Sequence, residues 1–364
     1  MNLLSSFRDS ARARPIIERI HRRKTGPVTI MEFCGGHTVA IFRSGMREVL
    51  PSRVRMLSGP GCPVCVTSNA DLDRAIALAR TPGVILASYG DMLRVPGSHL
   101  SLMQARAQGC HVEIVYSTLD ALALAEQHPD KDVVFFAIGF ETTAPAAAAA
   151  VLQARARGLK NFSLCSVMKL TIPGARALLG MGDVNVDAVI GPGHVSSIIG
   201  ADPWRFLPDE HGIPVAISGF EPLDLLAATD ALLGMIETGS PDLVNTYRRI
   251  VKPEGNRKAW GLVQEVFAPR TTVWRGFGEI PDSGLVLREE YAEFDAERRF
   301  SIVVDDATEH PACRCGEVLR GVITPPDCAV FATACTPEHP LGPCMVSSEG
   351  SCAAYFQYQR HSGA

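Results

Sequence analysis

The chain has 364 residues, 46% of them hydrophobic and 20% charged, which is enough apolar side chain for real cores and too much for a disordered chain. Basic and acidic residues nearly balance, 35 against 39, giving a net charge of −4 and excluding the basic surplus expected of a nucleic-acid binder. No apolar run approaches the length of a membrane span, and residues 1–24 carry seven Lys/Arg without a secretory apolar segment. The expectation is a cytoplasmic protein, where thiols stay reduced.

In chain order, Leu3–Lys24 reads as an amphipathic helix whose basic residues either form a solvated face packed on the body or a docking face for a partner. From Val28 onward, short apolar runs alternate with helical segments. The strand-like runs are Val28–Phe33, Val54–Leu57, Val84–Ser88, Val112–Tyr116, Val133–Ile138, Phe162–Val167, Val186–Ile190 and Pro214–Ser218. They are continuous rather than alternating, as in strands covered on both faces. After Ser68, a plausible N-cap, Leu72, Ala75, Ile76 and Ala79 repeat at helical spacing; Ala144–Arg157 and Leu223–Ile236 also read as helices. This alternation predicts parallel α/β sheets in two units, split near Gln127–Asp132. A short helix is expected at Pro241–Ile250, followed by a Gly/Pro-punctuated region and, from Pro311, a loop-rich, Cys-rich tail.

The unusual loops follow the strands directly. Val28–Phe33 leads into Cys34-Gly35-Gly36-His37, Val54–Leu57 into Gly59-Pro60-Gly61-Cys62-Pro63-Val64-Cys65, and Val84–Ser88 into Tyr89-Gly90-Asp91. Val133–Ile138 leads into Gly139-Phe140-Glu141-Thr142-Thr143, and Val186–Ile190 into Gly191-Pro192-Gly193-His194. In open parallel sheets the carboxyl ends of strands form the ligand crevice, so these loops should gather along sheet edges. The Cys62/Cys65 pair, with a helix starting soon after, suits redox or metal work rather than two inert thiols. Cys34 lies between buried structural thiol and ligand; two glycines allow close backbone approach, and His37 is placed to orient or deprotonate it. His194, Glu141 and Asp91 are candidate site groups or plain loop hydrogen-bonders. A cysteine-protease signature, a phosphate loop and the GxGxxG fingerprint are all absent.

Of the 11 Cys, six crowd between Cys313 and Cys352. Six soft ligands at wide gaps suit an iron–sulfur site better than a compact zinc site, the zinc-stabilised binding module being the competing reading. Spacing does not choose four from six: Cys328 and Cys335 are central, Cys313 or Cys315 comes first, and Cys344 or Cys352 last. The expected organisation is two Rossmann-like α/β domains, residues 1–130 and 131–239, with a small loop-rich C-terminal domain, residues 240–364. Cys110 and Cys165 read as structural.

These residues resemble the HypD family of hydrogenase maturation factors. The matching segments are Glu32–Thr38, Gly59–Cys65, Gly139–Pro145, Gly191–Ser196, and Cys335-Thr336-Pro337 through Cys352. The resemblance implies a scaffold on which the Fe(CN)2CO moiety of [NiFe]-hydrogenase is assembled, working with a small HypC-type chaperone and receiving cyanide from HypE, which acts with HypF. It implies a [4Fe-4S] cluster on a Cys-x14-Cys-x6-Cys-x16-Cys pattern, here Cys313, Cys328, Cys335 and Cys352, with Cys315 and Cys344 the least settled pair. It further implies that Cys34 ligates the scaffolded iron and that Cys62 and Cys65 form a thiol pair in the same cleft. His37 or His194 as donors to cyanide nitrogens is an added inference. A competing reading from the CxxC pair and cluster alone is an iron–sulfur-dependent thiol–disulfide reductase resembling ferredoxin:thioredoxin reductase.

Overall fold

The computed structural model describes residues 8–304 and 306–358. Each predicted strand forms: β1 (Val28–Glu32), β2 (Val54–Ser58), β3 (Val84–Ser88), β4 (Val112–Ile114), β5 (Asp132–Ala137), β6 (Phe162–Ser166), β7 (Ala188–Pro192) and β8 (Val215–Ser218). Together with β9 (Leu243–Asn245) they make two parallel sheets, ordered β2-β1-β7-β8-β9 and β4-β3-β5-β6. The fold class is therefore α/β, as the alternation implied. β3 and β6 are buried along their whole length, which explains their unbroken apolar runs.

The sheets do not follow the chain-order division. Residues 1–130 supply β1 and β2 to one sheet and β3 and β4 to the other; residues 131–239 return β5 and β6 to the second and β7 and β8 to the first. A boundary near 130 thus falls inside a sheet, between β4 and β5, which both flank β3. One core cluster joins Met31 and Leu57 of the first sheet to Leu86, Val134 and Phe136 of the second.

Helix α1 (Ser10–Arg22) covers residues 10–22 of the expected N-terminal helix; residues 3–7 of that expectation lie outside the described residues. Arg19 within it, and Arg8 and Arg23 beside it, are spent on the protein itself. Ile20 is fully buried, Arg19 and Arg23 pair with Asp230, and Arg8 pairs with Glu221. Arg53 donates to the carbonyl oxygens of Ile20 and Arg23, satisfying the helix C-terminus. The expected helices form as α3 (Asn69–Arg80), capped by the Ser68 hydroxyl, α4 (Ala144–Arg157) and α7 (Pro222–Thr238), and further helices are α2 (Gly35–Arg43), α5 (Thr171–Met181), α6 (Gly193–Ile199) and α8 (Ser351–Tyr358).

Two elements depart from expectation. Pro241–Ile250 is not a helix: Leu243–Asn245 pairs with Val215–Ile217 as an edge strand, and the Asn245 side chain accepts from the Tyr247 N–H and donates to the Val251 carbonyl. Sheet pairing and these local bonds outcompete a weak helical pattern. The Gly/Pro-punctuated region contains an antiparallel hairpin, β10 (Phe267–Trp274) and β11 (Gly278–Leu287). It fastens to the open edge beside β6, where Arg270 donates to the Ser166 carbonyl and the Ser166 hydroxyl donates to Leu285. Among the described residues no helix is long and apolar enough to cross a membrane.

Candidate metal and thiol site

Strand β1 ends by turning straight into α2, and Cys34 occupies the turn as the residue preceding the helix. The backbone there is held by a buried carboxyl. Glu32 accepts from the Cys34 N–H at 2.8 Å through one oxygen and from the Thr38 hydroxyl through the other. Burial pushes the Glu32 carboxyl up to about 8. From the second strand loop, Gly61 accepts the Gly35 N–H at 3.0 Å, and a Cβ on Gly61 would lie 2.3 Å from the Cys34 nitrogen. Gly61→Ala is therefore expected to force the two loops apart at a cost of roughly 1–3 kcal/mol. A lowered thermal midpoint and faster alkylation of Cys34 check this; an unchanged thiol rate contradicts it.

Cys34 is 6% exposed. Burial, and then the neighbouring Glu349 and Glu32 carboxyls, push its thiol well above the usual range, while the Gly36 and His37 N–H groups act in the opposite direction. A metal binding there must displace the thiol proton. His194, at the start of α6, places Nδ1 3.8 Å from the Cys34 sulfur, and its pKa is lowered by burial. His37 is fully buried, and burial lowers it to about 3. Its Nε2 faces the carbonyl oxygens of Ser218 at 3.2 Å and Gly219 at 3.1 Å, so that nitrogen carries the proton and Nδ1 is left without a partner. Geometry thus gives His194 the thiol contact; His37 holds the wall. Phe220 stacks between the two imidazoles, with centroids at 4.5 Å from His37 and 3.8 Å from His194. A cleft of about 760 Å³ opens beside them, lined by Gly36, Arg43, His194, Phe220, Ser348 and Glu349.

Glu32 also makes a pH prediction. Its carboxyl keeps its proton in the folded protein up to about pH 8, whereas the ordinary value is 4.5. Between those values the folded state binds more protons than the unfolded chain. The stabilisation is complete below 4.5 and is lost as pH rises to 8. Glu32→Gln removes the titration, so its stability should fall less steeply in this window, by at most about 1.4 kcal/mol per pH unit. Urea midpoints of both proteins at pH 5 and pH 8 measure this; equal slopes would refute it.

Cys62 and Cys65 are joined by a disulfide with Cα atoms 5.2 Å apart, and both are buried. Their turn, Pro63–Val66, packs against two short helices of the C-terminal region, Cys315–Leu319 and Pro343–Val346. Glu141 stands elsewhere in role: its oxygens accept from the Thr171 N–H at 2.8 Å and hydroxyl at 2.7 Å, capping α5, and burial raises its pKa. Asp91 lies half-exposed in the first turn of the short helix Gly90–Arg94.

In the C-terminal region Cys315 is the hub. It hydrogen-bonds with Cys313, Cys344 and Cys352, and Cys335 lies within electrostatic reach. The hydrogen bonds from Cys315 and Cys344 pull the Cys352 thiol down, while contacts with Cys315, and burial, push Cys313 and Cys344 up. Gly342 is needed here, since a Cβ would lie 2.4 Å from the Cys313 sulfur. The Cys335 sulfur accepts the Leu341 N–H at 3.4 Å. Cys328 is half-buried and outside these thiol contacts. Among the described residues no three His, Cys, Asp or Glu side chains converge as around one bare ion. What the segment offers is a set of adjacent thiols, the donor chemistry of an iron–sulfur group.

Glu32, Phe220 and Glu349 were not singled out from the sequence as site residues. A carboxylate closing an otherwise apolar strand was a usable signal for Glu32. Glu349 packs against Gly35, bringing the C-terminal segment to the Cys34 turn, a placement no local pattern announces.

These features define a class: an α/β protein of two parallel sheets that presents thiols at strand ends beneath a cysteine-bearing C-terminal segment. The family described as "HypD: Hydrogenase formation hypA family" matches residues 11–359. The chain is 48% identical to the hydrogenase maturation factor HypD of Azotobacter vinelandii, covering 100% of this chain and 98% of that protein. It is 46% identical to HypD of Rhizobium leguminosarum bv. viciae (99% and 96% covered) and 41% identical to HypD of Escherichia coli K12 (99% of each). The chain belongs to the HypD family of hydrogenase maturation factors.

Proposed function

We propose that this chain is the scaffold on which the Fe(CN)2CO moiety of [NiFe]-hydrogenase is assembled, together with a HypC-type small chaperone, in the cytoplasm. The observation that carries the reading is the buried Cys34 thiol, in contact with His194, which lines the neighbouring cleft, with a buried disulfide one loop away. The cargo is an iron bearing cyanide and CO, and thiolate is a fitting soft ligand for it. Cys34 binds the iron; the partner chaperone supplies a further thiolate; HypE, working with HypF, delivers cyanide. His194, kept neutral by burial, offers an N–H toward the cyanide nitrogens, whereas His37 fixes the opposite wall through its two carbonyl partners.

The Cys62/Cys65 pair stores two electrons: closing the disulfide from two thiols releases two electrons and two protons. A [4Fe-4S] cluster, which supplies one-electron redox chemistry when bound, would be held by Cys313, Cys328, Cys335 and Cys352, with Cys315 and Cys344 as the alternatives favoured by the thiol contacts around Cys352. The reductase reading also uses the pair and the cluster, but both disulfide sulfurs lie on buried residues, 3% and 0% exposed, unlike a site that exchanges with protein disulfides. Iron analysis after anaerobic co-purification with the chaperone tests the proposal. Iron beyond the cluster content, lost from Cys34→Ala, is the expected result; catalytic turnover of a protein disulfide with no extra iron would favour the reductase.

A further inference from the structure

The hairpin tip between β10 and β11 touches both cysteine-bearing turns, a role that nothing in its own sequence suggests. On one side it is bonded to the residues that follow Cys65. The Arg275 N–H donates to the Val66 carbonyl at 2.9 Å, Nε donates to the Thr67 carbonyl at 3.1 Å, and one terminal nitrogen donates to the Asn69 side-chain oxygen. Trp274 also forms a β-bridge with Thr67. On the other side the same guanidinium pairs with Glu309 at 3.0 Å, four residues before Cys313, and its charge acts to lower the Cys313 thiol. Next in the chain, Gly276 packs backbone to backbone on Gly316: with φ at +78°, a Cβ there would lie 2.4 Å from the Gly316 Cα.

We infer that Arg275 and Gly276 are positioning residues that hold the Cys62–Cys65 turn and the Cys313–Cys315 turn in register with one another. The chemistry of arginine suits this. Its side chain is 3% exposed while the Glu309 side chain is 41% exposed, so the cation is buried and the anion reaches in from the surface. A buried guanidinium must have its donors satisfied, and its planar fork addresses Thr67, Asn69 and Glu309 at once. A lysine ammonium is a single point and cannot span the three. The strap leading to Cys313 is pinned from two further points, since the Asn69 amide donates to the Thr308 carbonyl and the Thr308 N–H donates to the Ser98 hydroxyl at 2.8 Å. A cleft of about 250 Å³ lined by Asn69, Arg275, His310, Cys313 and Gly342 runs along this junction, giving solvent a route to one side of it.

The inference concerns thiol geometry and stands whether or not the chain carries the iron cargo. Its test is site-resolved alkylation of the reduced, metal-free, full-length protein under anaerobic iodoacetamide, read by mass spectrometry, with the fully buried Cys165 as the reporter of global opening. In Arg275→Lys, Cys62, Cys65 and Cys313 should all accelerate by about tenfold or more while Cys165 does not change. In Glu309→Ala, Cys313 should accelerate and Cys62 and Cys65 should stay within about twofold, because Arg275 keeps its bonds to Thr67 and Asn69. Acceleration of only one segment in Arg275→Lys, or of Cys165 in step with the rest, overturns the inference: the first shows no coupling, the second a mere stabilising role. If Arg275→Lys does not fold, Glu309→Ala decides alone, and a Cys313 rate equal to wild type overturns it.

Discussion

A strain whose chain carries Cys34→Ala should mature [NiFe]-hydrogenase at a level reduced by more than about a hundredfold, although the protein folds and still meets its partners. A lost outer contact to a metal site already costs 10–100-fold in affinity, and Cys34 is proposed as the direct ligand. Folding should survive because the thiol makes few stabilising contacts. The Cys34 backbone N–H, not its side chain, holds Glu32, and the sulfur itself meets the Gly36 and His37 N–H groups and, at 3.8 Å, the His194 ring. The two histidines should then differ. His194→Ala removes a group that touches the thiol and should lower maturation with little loss of stability. His37→Ala instead opens a buried wall against Phe220 and leaves the Ser218 and Gly219 carbonyls without a donor, so it should lower stability as well. Equal stability losses in both would contradict the assignment of roles.

The second large effect concerns the C-terminal thiols. Serine at a ligand position should abolish the cluster's visible absorption after anaerobic reconstitution, since a neutral hydroxyl replaces a thiolate ligand. Serine at a position outside the ligand set should leave most of it. The family spacing names Cys313, Cys328, Cys335 and Cys352, whereas the folded chain brings Cys313, Cys315, Cys344 and Cys352 into hydrogen-bonded contact and leaves Cys328 aside. Cys352 belongs to both sets, so Cys352→Ser should lose the cluster in any case. The pair Cys328→Ser and Cys315→Ser separates the alternatives: loss in the first and retention in the second supports the spacing pattern, and the reverse supports the contact set.

The strands were legible because they are buried on both faces, and a continuous apolar run leaves little else to be. Their pairing was not. β1 takes β7 as its neighbour in the same sheet, with Ile30 opposite Ala188 some 158 positions along the chain, and no local pattern names so distant a partner. The β10–β11 hairpin left a weak trace: Phe267–Trp274 alternates in burial along its length, but Pro269 within the run argues against a strand, and its place on the sheet edge is what tolerates that proline. At the site, the cysteines announced themselves through glycine-rich loops at strand ends, and topology gathers Cys34, Cys62 and His194 as those loops suggested. Glu141 was equally visible, yet its function as the cap of α5 depends on Thr171, a partner 30 residues away across the sheet. Arg275 offered no signal at all, because its significance lies in four partners drawn from two other segments.

The most direct test of the central claim is the infrared spectrum of the anaerobically purified protein in complex with its small chaperone. The account predicts bands of iron-bound cyanide and CO in the wild-type complex and their absence when Cys34 is replaced by alanine. Bands that persist undiminished in Cys34→Ala, or a wild-type complex with chaperone bound and HypE present that shows none, would contradict it.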